Sequence, residues 1–226
     1  MKQTFSSSIG RKFAMALSAL FLLIFLLQHF VINLTSVIAP DLFNEVSHFM
    51  GTSPAVQFLL QPILIFAVVY HFIAGFVLEI QNRKARGADQ YAMQKGSANS
   101  TWMSRNMLIS GGVILAFLGL HFYDFWVPEI TTKYIEGDMT GMINGEYRYY
   151  HELVEKFHSP VKVGLYSLAF VLLALHLRHG FQSAFQSMGA NHKKYTPLIQ
   201  SLGNFYSIAI PAGFIFIALF HHLTGH

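Results

Sequence analysis

Five apolar runs, each long enough to cross a bilayer, constrain this chain more than any other feature. About 20 predominantly apolar residues span the hydrocarbon core, and such windows lie at roughly Phe13–Val37, Ala55–Ile80, Asn106–Val127, Val161–Phe185 and Leu198–Phe220. The runs lack the alternation of strands, and an open sheet edge finds no hydrogen-bond partner in lipid. The chain therefore reads as all-α, a single transmembrane domain over residues 1–226 with five spans, I to V. Composition agrees: 12% of residues are charged, against about 25% in a soluble domain. Lys2, Arg11 and Lys12 precede span I as they would a signal peptide, but the run is too long for one and lacks a small-residue cleavage site.

Four spans carry a histidine within the apolar run: His29 in FLLIFLLQHFVINL, His71 in IFAVVYHFIAGFVL, His121 in GGVILAFLGLHFYDFW and His176 in LAFVLLALHLRHG. An ionisable side chain at that depth is costly and needs a partner, a water-filled cavity or a ligand. A lone membrane histidine more often hydrogen-bonds a neighbour than binds a metal. Four of them, one per span, point instead to two bis-histidine metal sites.

Cysteine is absent, which rules out a disulfide, covalent haem attachment through CxxCH, and a thiolate-held iron–sulfur cluster within this chain. Imidazole is then the natural redox-metal ligand and haem b the natural cofactor. Any cluster or flavin must belong to a partner.

The positive-inside rule sets the orientation. Lys2, Arg11, Lys12, Arg83, Lys84, Arg86, Lys95, Arg105, Lys193 and Lys194 fall on one side; Lys133, Arg148, Lys156 and Lys162 fall on the other with eight acids. The N-terminus is expected inside and the C-terminus outside. The polar connection Gln81–Thr101 offers an inner surface for a soluble partner. The outer segment Ala39–Ser53 reads as a connection, with Pro54 opening span II. Pro128–Pro160 is the longest connection, broken by Gly137, Gly141 and Gly145, with a short amphipathic helix at Glu146–Phe157.

Depth pairs the histidines. At 1.5 Å per residue, His29 and His121 lie roughly 25 Å from the inner side, while His71 and His176 lie at roughly 15–18 Å. Two haems stacked across the membrane follow, an inner one on His71 and His176 and an outer one on His29 and His121. Glycine supports the inner pair: Gly75 and Gly180 each follow their histidine by four residues, on the same helix face, where a missing side chain lets a flat macrocycle approach. His179 competes with His176 but lies about 60° around the helix, and the shared glycine spacing favours His176. Arg178 has two readings, partner of a haem propionate or snorkelling cation. His221, His222 and His226 read as a solvated tail, and Asp124 as a marker of the membrane boundary. Asn33, His48 and Trp126, near the outer interface, are candidate quinone contacts, each with an ordinary anchoring role as its alternative.

Several blocks carry a family resemblance: SSSIGRKFAMALSALFL leading to LLQHFVIN, then FNEVSHFM, VVYHFIAG, GLHFYDFW and HLRHGFQSAFQSMG. The chain resembles the five-helix, dihaem cytochrome b membrane subunits of succinate dehydrogenases and quinol:fumarate reductases over almost its full length. The resemblance implies assembly on the inner face with a flavoprotein subunit bearing FAD and an iron–sulfur subunit, in the bacterial cytoplasmic membrane. Electrons would pass between the clusters, two haems b and a menaquinone-type quinone. The positions that match the family's axial ligands are His29, His71, His121 and His176. Some dihaem fumarate reductases carry a membrane carboxylate two residues before the fourth-span ligand; Ala174 stands there in this chain.

The expected function is that of an electron-transfer and quinone-reactive subunit, with dicarboxylate chemistry on the flavoprotein. Two rivals stand beside it. One is the dihaem anchor of a formate dehydrogenase or hydrogenase; the other is a haem-free membrane anchor or transporter that uses its histidines for protons or helix contacts.

Overall fold

The structure is a computed structural model that describes residues 8–86 and 107–225. Lys2, Lys95, Arg105 and His226, with most of the expected inner connection, lie outside the described residues. Five helices in it are long and apolar enough to cross a membrane, and they form the expected all-α bundle.

Helix α1 (Ser8–Ile38) has no proline in its interior and stops where Pro40 follows Ala39. The residue before a proline is pushed out of the helical region, and Ala39 accordingly sits at φ −156°, ψ 78°. Pro40 then occupies the first turn of α2 (Pro40–Thr52), where its missing N–H costs nothing. The segment read as a connection is thus a helix, with Phe43 buried in the core.

Span II is α3 (Gln61–Arg86), entered through a π-helical turn at Val56–Leu60. The wide turn falls just before Pro62, whose ring would strike the carbonyl of Phe58 and which donates no hydrogen bond. The Gln61 N–H reaches Val56 instead, so a π turn absorbs the proline without ending the helix.

Span III begins as α4 (Met107–His121) and continues through a π turn at Phe122–Trp126, a helical turn at Val127–Ile130 and a second π turn at Thr131–Ile135. Pro128 is accommodated as Pro62 is, with the Val127 N–H on Phe122. The span therefore runs Met107–Ile135, past the end at Val127 that the sequence implied.

In the following connection Asn144 (φ 54°) and Gly145 (φ 88°) turn the chain. Two consecutive left-handed residues make the tight turn that matches strand twist. They pair β1 (Met142–Ile143) with β2 (Glu146–Tyr147), Ile143 opposite Glu146. Glu146 is therefore in a strand, and the expected amphipathic helix begins later, as α5 (Tyr149–His158).

Helix α6 (Pro160–Ser187) starts with Ser159 capping the Lys162 N–H, and α7 (Thr196–Thr224) carries Pro211 buried inside it. Helix α6 packs against α1, α4, α5 and α7. The buried core lies toward the end of the bundle that carries the hairpin. There Phe43 of α2 and Leu153 and Phe157 of α5 join Val163, Tyr166 and Phe170 of α6 and Ile210, Phe214 and Ile217 of α7. Elsewhere Ile24, Phe66, Ile109 and Phe205 face outward, as lipid-facing residues do.

Charged side chains tie the hairpin end together. Glu129 pairs with both Lys133 and Arg148, Arg148 also with Glu152, and Lys133 donates to the Gly51 carbonyl. Burial opposes the Arg148 charge, but the hydrogen bond and charge of Glu152 and the charge of Glu129 outweigh it and raise its pKa.

Candidate cofactor-binding site

Helices α1, α3, α4 and α6 each contribute one intramembrane histidine, and the structure brings these together at two levels. At the level nearer the hairpin, His29 of α1 faces His121 of α4 with ring centroids 5.8 Å apart and planes at 83°. An imidazole nitrogen binds a first-row metal at about 2.0–2.1 Å, so two rings gripping one ion from opposite sides have centroids roughly 6 Å apart. The observed separation fits that requirement.

Aromatic rings enclose this pair. Phe25 stacks on His29 at 5.5 Å and Phe214 lies 5.8 Å from it; Phe117, Phe125 and Tyr166 lie 5.2–6.3 Å from His121, with Tyr166 5.0 Å from Phe117 and 6.4 Å from Phe125. Such a wall excludes water and lowers the local dielectric. Within it the His121 Nδ1 is buried and has no hydrogen-bond partner among the described residues. A buried polar atom left unpaired is costly, so this ring keeps a polar atom free for a further partner. Asn33 donates to its own helix at the His29 carbonyl, 2.8 Å, and its amide nitrogen stands 3.4 Å from His29 Nε2.

The second level holds His71 of α3 and His176 of α6, which meet α1 and α4 eleven residues before His29 and His121. Each has its Nδ1 beside a serine hydroxyl from a neighbouring helix. Ser18 of α1 is 3.3 Å from His71 and Ser110 of α4 is 3.2 Å from His176. Metal-ligating histidines almost always bond through the second ring nitrogen in this way. Sequence reasoning missed both serines. The available signal was a shared spacing, since Ser18 precedes His29 and Ser110 precedes His121 by the same eleven residues.

A side chain added at Gly180 would meet nothing within 4 Å, while one at Gly75 would touch Met15 at 3.5 Å. Arg178 is exposed and has no ion pair among the described residues. No hydrogen bond, ion pair or ring contact directly links the three candidate quinone contacts Asn33, His48 and Trp126. Trp126 is exposed beside Phe122. His48 is stacked on Tyr147 at 4.4 Å with its Nδ1 buried and unpaired.

Two expectations for polar residues are corrected. His221 is fully buried, its Nε2 2.8 Å from Ser36, and His222 Nδ1 is 2.9 Å from the Phe157 carbonyl. Neither belongs to a solvated tail, because α7 continues to Thr224 and carries both rings back onto α1 and α5. Asp124 is 2% exposed, pairs with Lys162 and accepts from the Tyr166 hydroxyl at 3.0 Å. It faces α6 instead of the interface because the π turn at Phe122–Trp126 rotates it inward.

Over 197 residues, 87% of this chain and 86% of the other, the sequence is 22% identical to the succinate dehydrogenase cytochrome b558 subunit of Bacillus subtilis (strain 168). No family model matches the chain. No solved structure matches it either. The similarity and the five apolar helices together support a membrane-anchor role in an oxidoreductase complex.

Proposed function

We propose that this chain is the membrane-anchor cytochrome b subunit of a succinate:quinone oxidoreductase. It passes electrons between a partner iron–sulfur subunit and a menaquinone-type quinone through two haems b. The observation that carries this reading is the two-level arrangement of imidazoles on four helices, in a chain similar to a succinate dehydrogenase cytochrome b558 subunit. His29 and His121 would hold the outer haem, and His71 and His176 the inner one. The N-terminus and the flavoprotein and iron–sulfur partners would lie on the cytoplasmic side of a bacterial inner membrane.

When bound, haem b supplies a one-electron iron couple whose potential the protein sets through ligation, hydrogen bonding and burial. The chain's own residues do the rest. The histidines would hold each metal from separate helices, and the distance between the two levels is set by helix rise. Phe25, Phe117, Phe125 and Phe214 keep water from the outer pair. Gly180 leaves open space on the helix face one turn beyond His176. Arg178 would meet a propionate. Asn33, His48 and Trp126 remain the proposed quinone contacts, with His48 favoured by its unpaired Nδ1.

Purification of the complex from membranes, a pyridine haemochrome assay and redox titration with menaquinol and ubiquinol as donors test the reading. Two haems b per chain with a covalently flavinylated partner support it. A preparation without haem b points to the haem-free anchor, and a molybdenum or nickel partner to the formate dehydrogenase or hydrogenase alternative.

A further inference from the structure

We propose that Ser18 and Ser110 are positioning residues that lock His71 and His176 in the tautomer protonated at Nδ1, leaving Nε2 of each ring bare for iron. The inference rests on the inner-haem reading above and deepens it.

The tautomer follows from the number of hydrogens each serine carries. A serine hydroxyl has one hydrogen to donate and two lone pairs to accept with. Ser18 donates its hydrogen to the Met15 carbonyl three residues earlier, at 2.8 Å, and Ser110 does the same to Met107 at 3.1 Å. This back-bonding is the usual recourse of serine within a helix. With the hydrogen spent, each oxygen can only accept at the imidazole that faces it, 3.3 Å away for His71 and 3.2 Å for His176. The Nδ1 atoms must therefore carry the hydrogens. A neutral imidazole protonated at one nitrogen has its lone pair at the other, so both rings present Nε2.

The same device is built twice, which argues against accident. Helices α1 and α4 each place a serine eleven residues before a histidine, about three turns and roughly 16 Å along one face. Each helix thus offers a hydrogen-bond acceptor to one level and an imidazole to the other. Beside Ser110, a Cβ on Gly111 would lie 3.8 Å from the His176 ring, at ordinary contact distance, so α4 passes close to that imidazole. Among the described residues the outer rings have no such partner: His121 Nδ1 is unpaired and His29 meets an amide at Nε2. A serine oxygen accepting at Nδ1 would strengthen His71 and His176 as ligands and favour ferric iron at the inner level.

The test uses the intact complex in membranes, with the inner haem identified as the one lost in His71→Ala. Ser18→Ala and Ser110→Ala are expected to raise the ferrous-to-ferric ratio of that haem about threefold at a fixed ambient potential, to alter its low-spin ferric resonance, and to leave the outer haem unchanged. Ser18→Thr and Ser110→Thr, which keep the hydroxyl, restore the wild-type ratio. Ser18→Cys and Ser110→Cys keep the volume but offer a poor acceptor, and carry the alanine expectation should the alanine forms not assemble. Two haems with an unmoved inner potential and resonance in all the alanine and cysteine variants would overturn the inference alone. So would a shift confined to the outer haem. Wild-type membranes without the two haems would overturn the functional reading first, and this inference with it.

Discussion

Ser36 of α1 and His221 of α7, 185 residues apart in the chain, meet in the buried hairpin end of the bundle with Oγ 2.8 Å from Nε2. Ser36 spends its own hydrogen on the Asn33 carbonyl at 2.6 Å, so it accepts from the His221 ring. Replacing Ser36 by alanine removes that acceptor and leaves a buried N–H unpaired, which costs about 1–3 kcal/mol. Thermal unfolding of the detergent-solubilised complex checks this. A wild-type melting curve for Ser36→Ala would show that the contact carries no stability.

Asp124 is the buried anchor of a second polar pair. Its carboxylate holds Lys162 and accepts from Tyr166. Asp124→Ala strands a partly exposed ammonium and a buried phenol, and is expected to destabilise by about 2–3 kcal/mol, below the 3–5 of a fully buried pair because Lys162 keeps access to water. Asp124→Leu with Lys162→Met should recover part of the loss in the same melting assay. No recovery would mean the cost lies elsewhere than in the uncompensated charge.

The proposed pairing of the four histidines predicts selective cofactor loss. His71→Ala or His176→Ala removes the low-spin signal of the inner haem and spares the outer one, while His29→Ala or His121→Ala does the reverse. Low-temperature spectra of membranes carrying each variant decide it. Loss of the outer signal in His176→Ala would overturn the assignment.

Alkaline pH probes the network outside the membrane. Burial, assisted by the charge of Glu129, pushes the Tyr149 phenol up to about 12 from its ordinary 10. Between those values the unfolded chain has released the phenolic proton while the folded one still holds it. The unfolded state then binds fewer protons, and stability falls as pH rises. The contribution is whole below pH 10 and is lost toward 12. Tyr149→Phe should flatten that alkaline decline, measured by unfolding at a series of pH values between 9 and 12. An unchanged slope would show that the phenol is not the titrating group.

Much of the site was legible one helix at a time. Run length alone identifies a span, because each backbone polar group in lipid must be satisfied within its own helix. The histidines of spans I to IV were visible as costly insertions into such runs, and counting the rise along each helix set their levels. What escaped was everything that depends on a second helix. Ser18 and Ser110 look like ordinary small residues until α1 is placed against α3 and α4 against α6. Asp124 sits close enough to a span's end to pass for a boundary residue, and only the π turn beside it reveals that it faces inward. His221 lies near the chain terminus, where solvent exposure is the default, yet α7 returns it to α1.

The sequence by itself determined five membrane-length helices, the four that carry an intramembrane histidine, and the absence of any thiolate chemistry. Those are properties of composition along a single axis. The tertiary structure decided which hydroxyl meets which ring, where the prolines are absorbed and which charges are buried, because those depend on how each helix is rotated about its axis. That rotation is set by packing against neighbours far away in the chain.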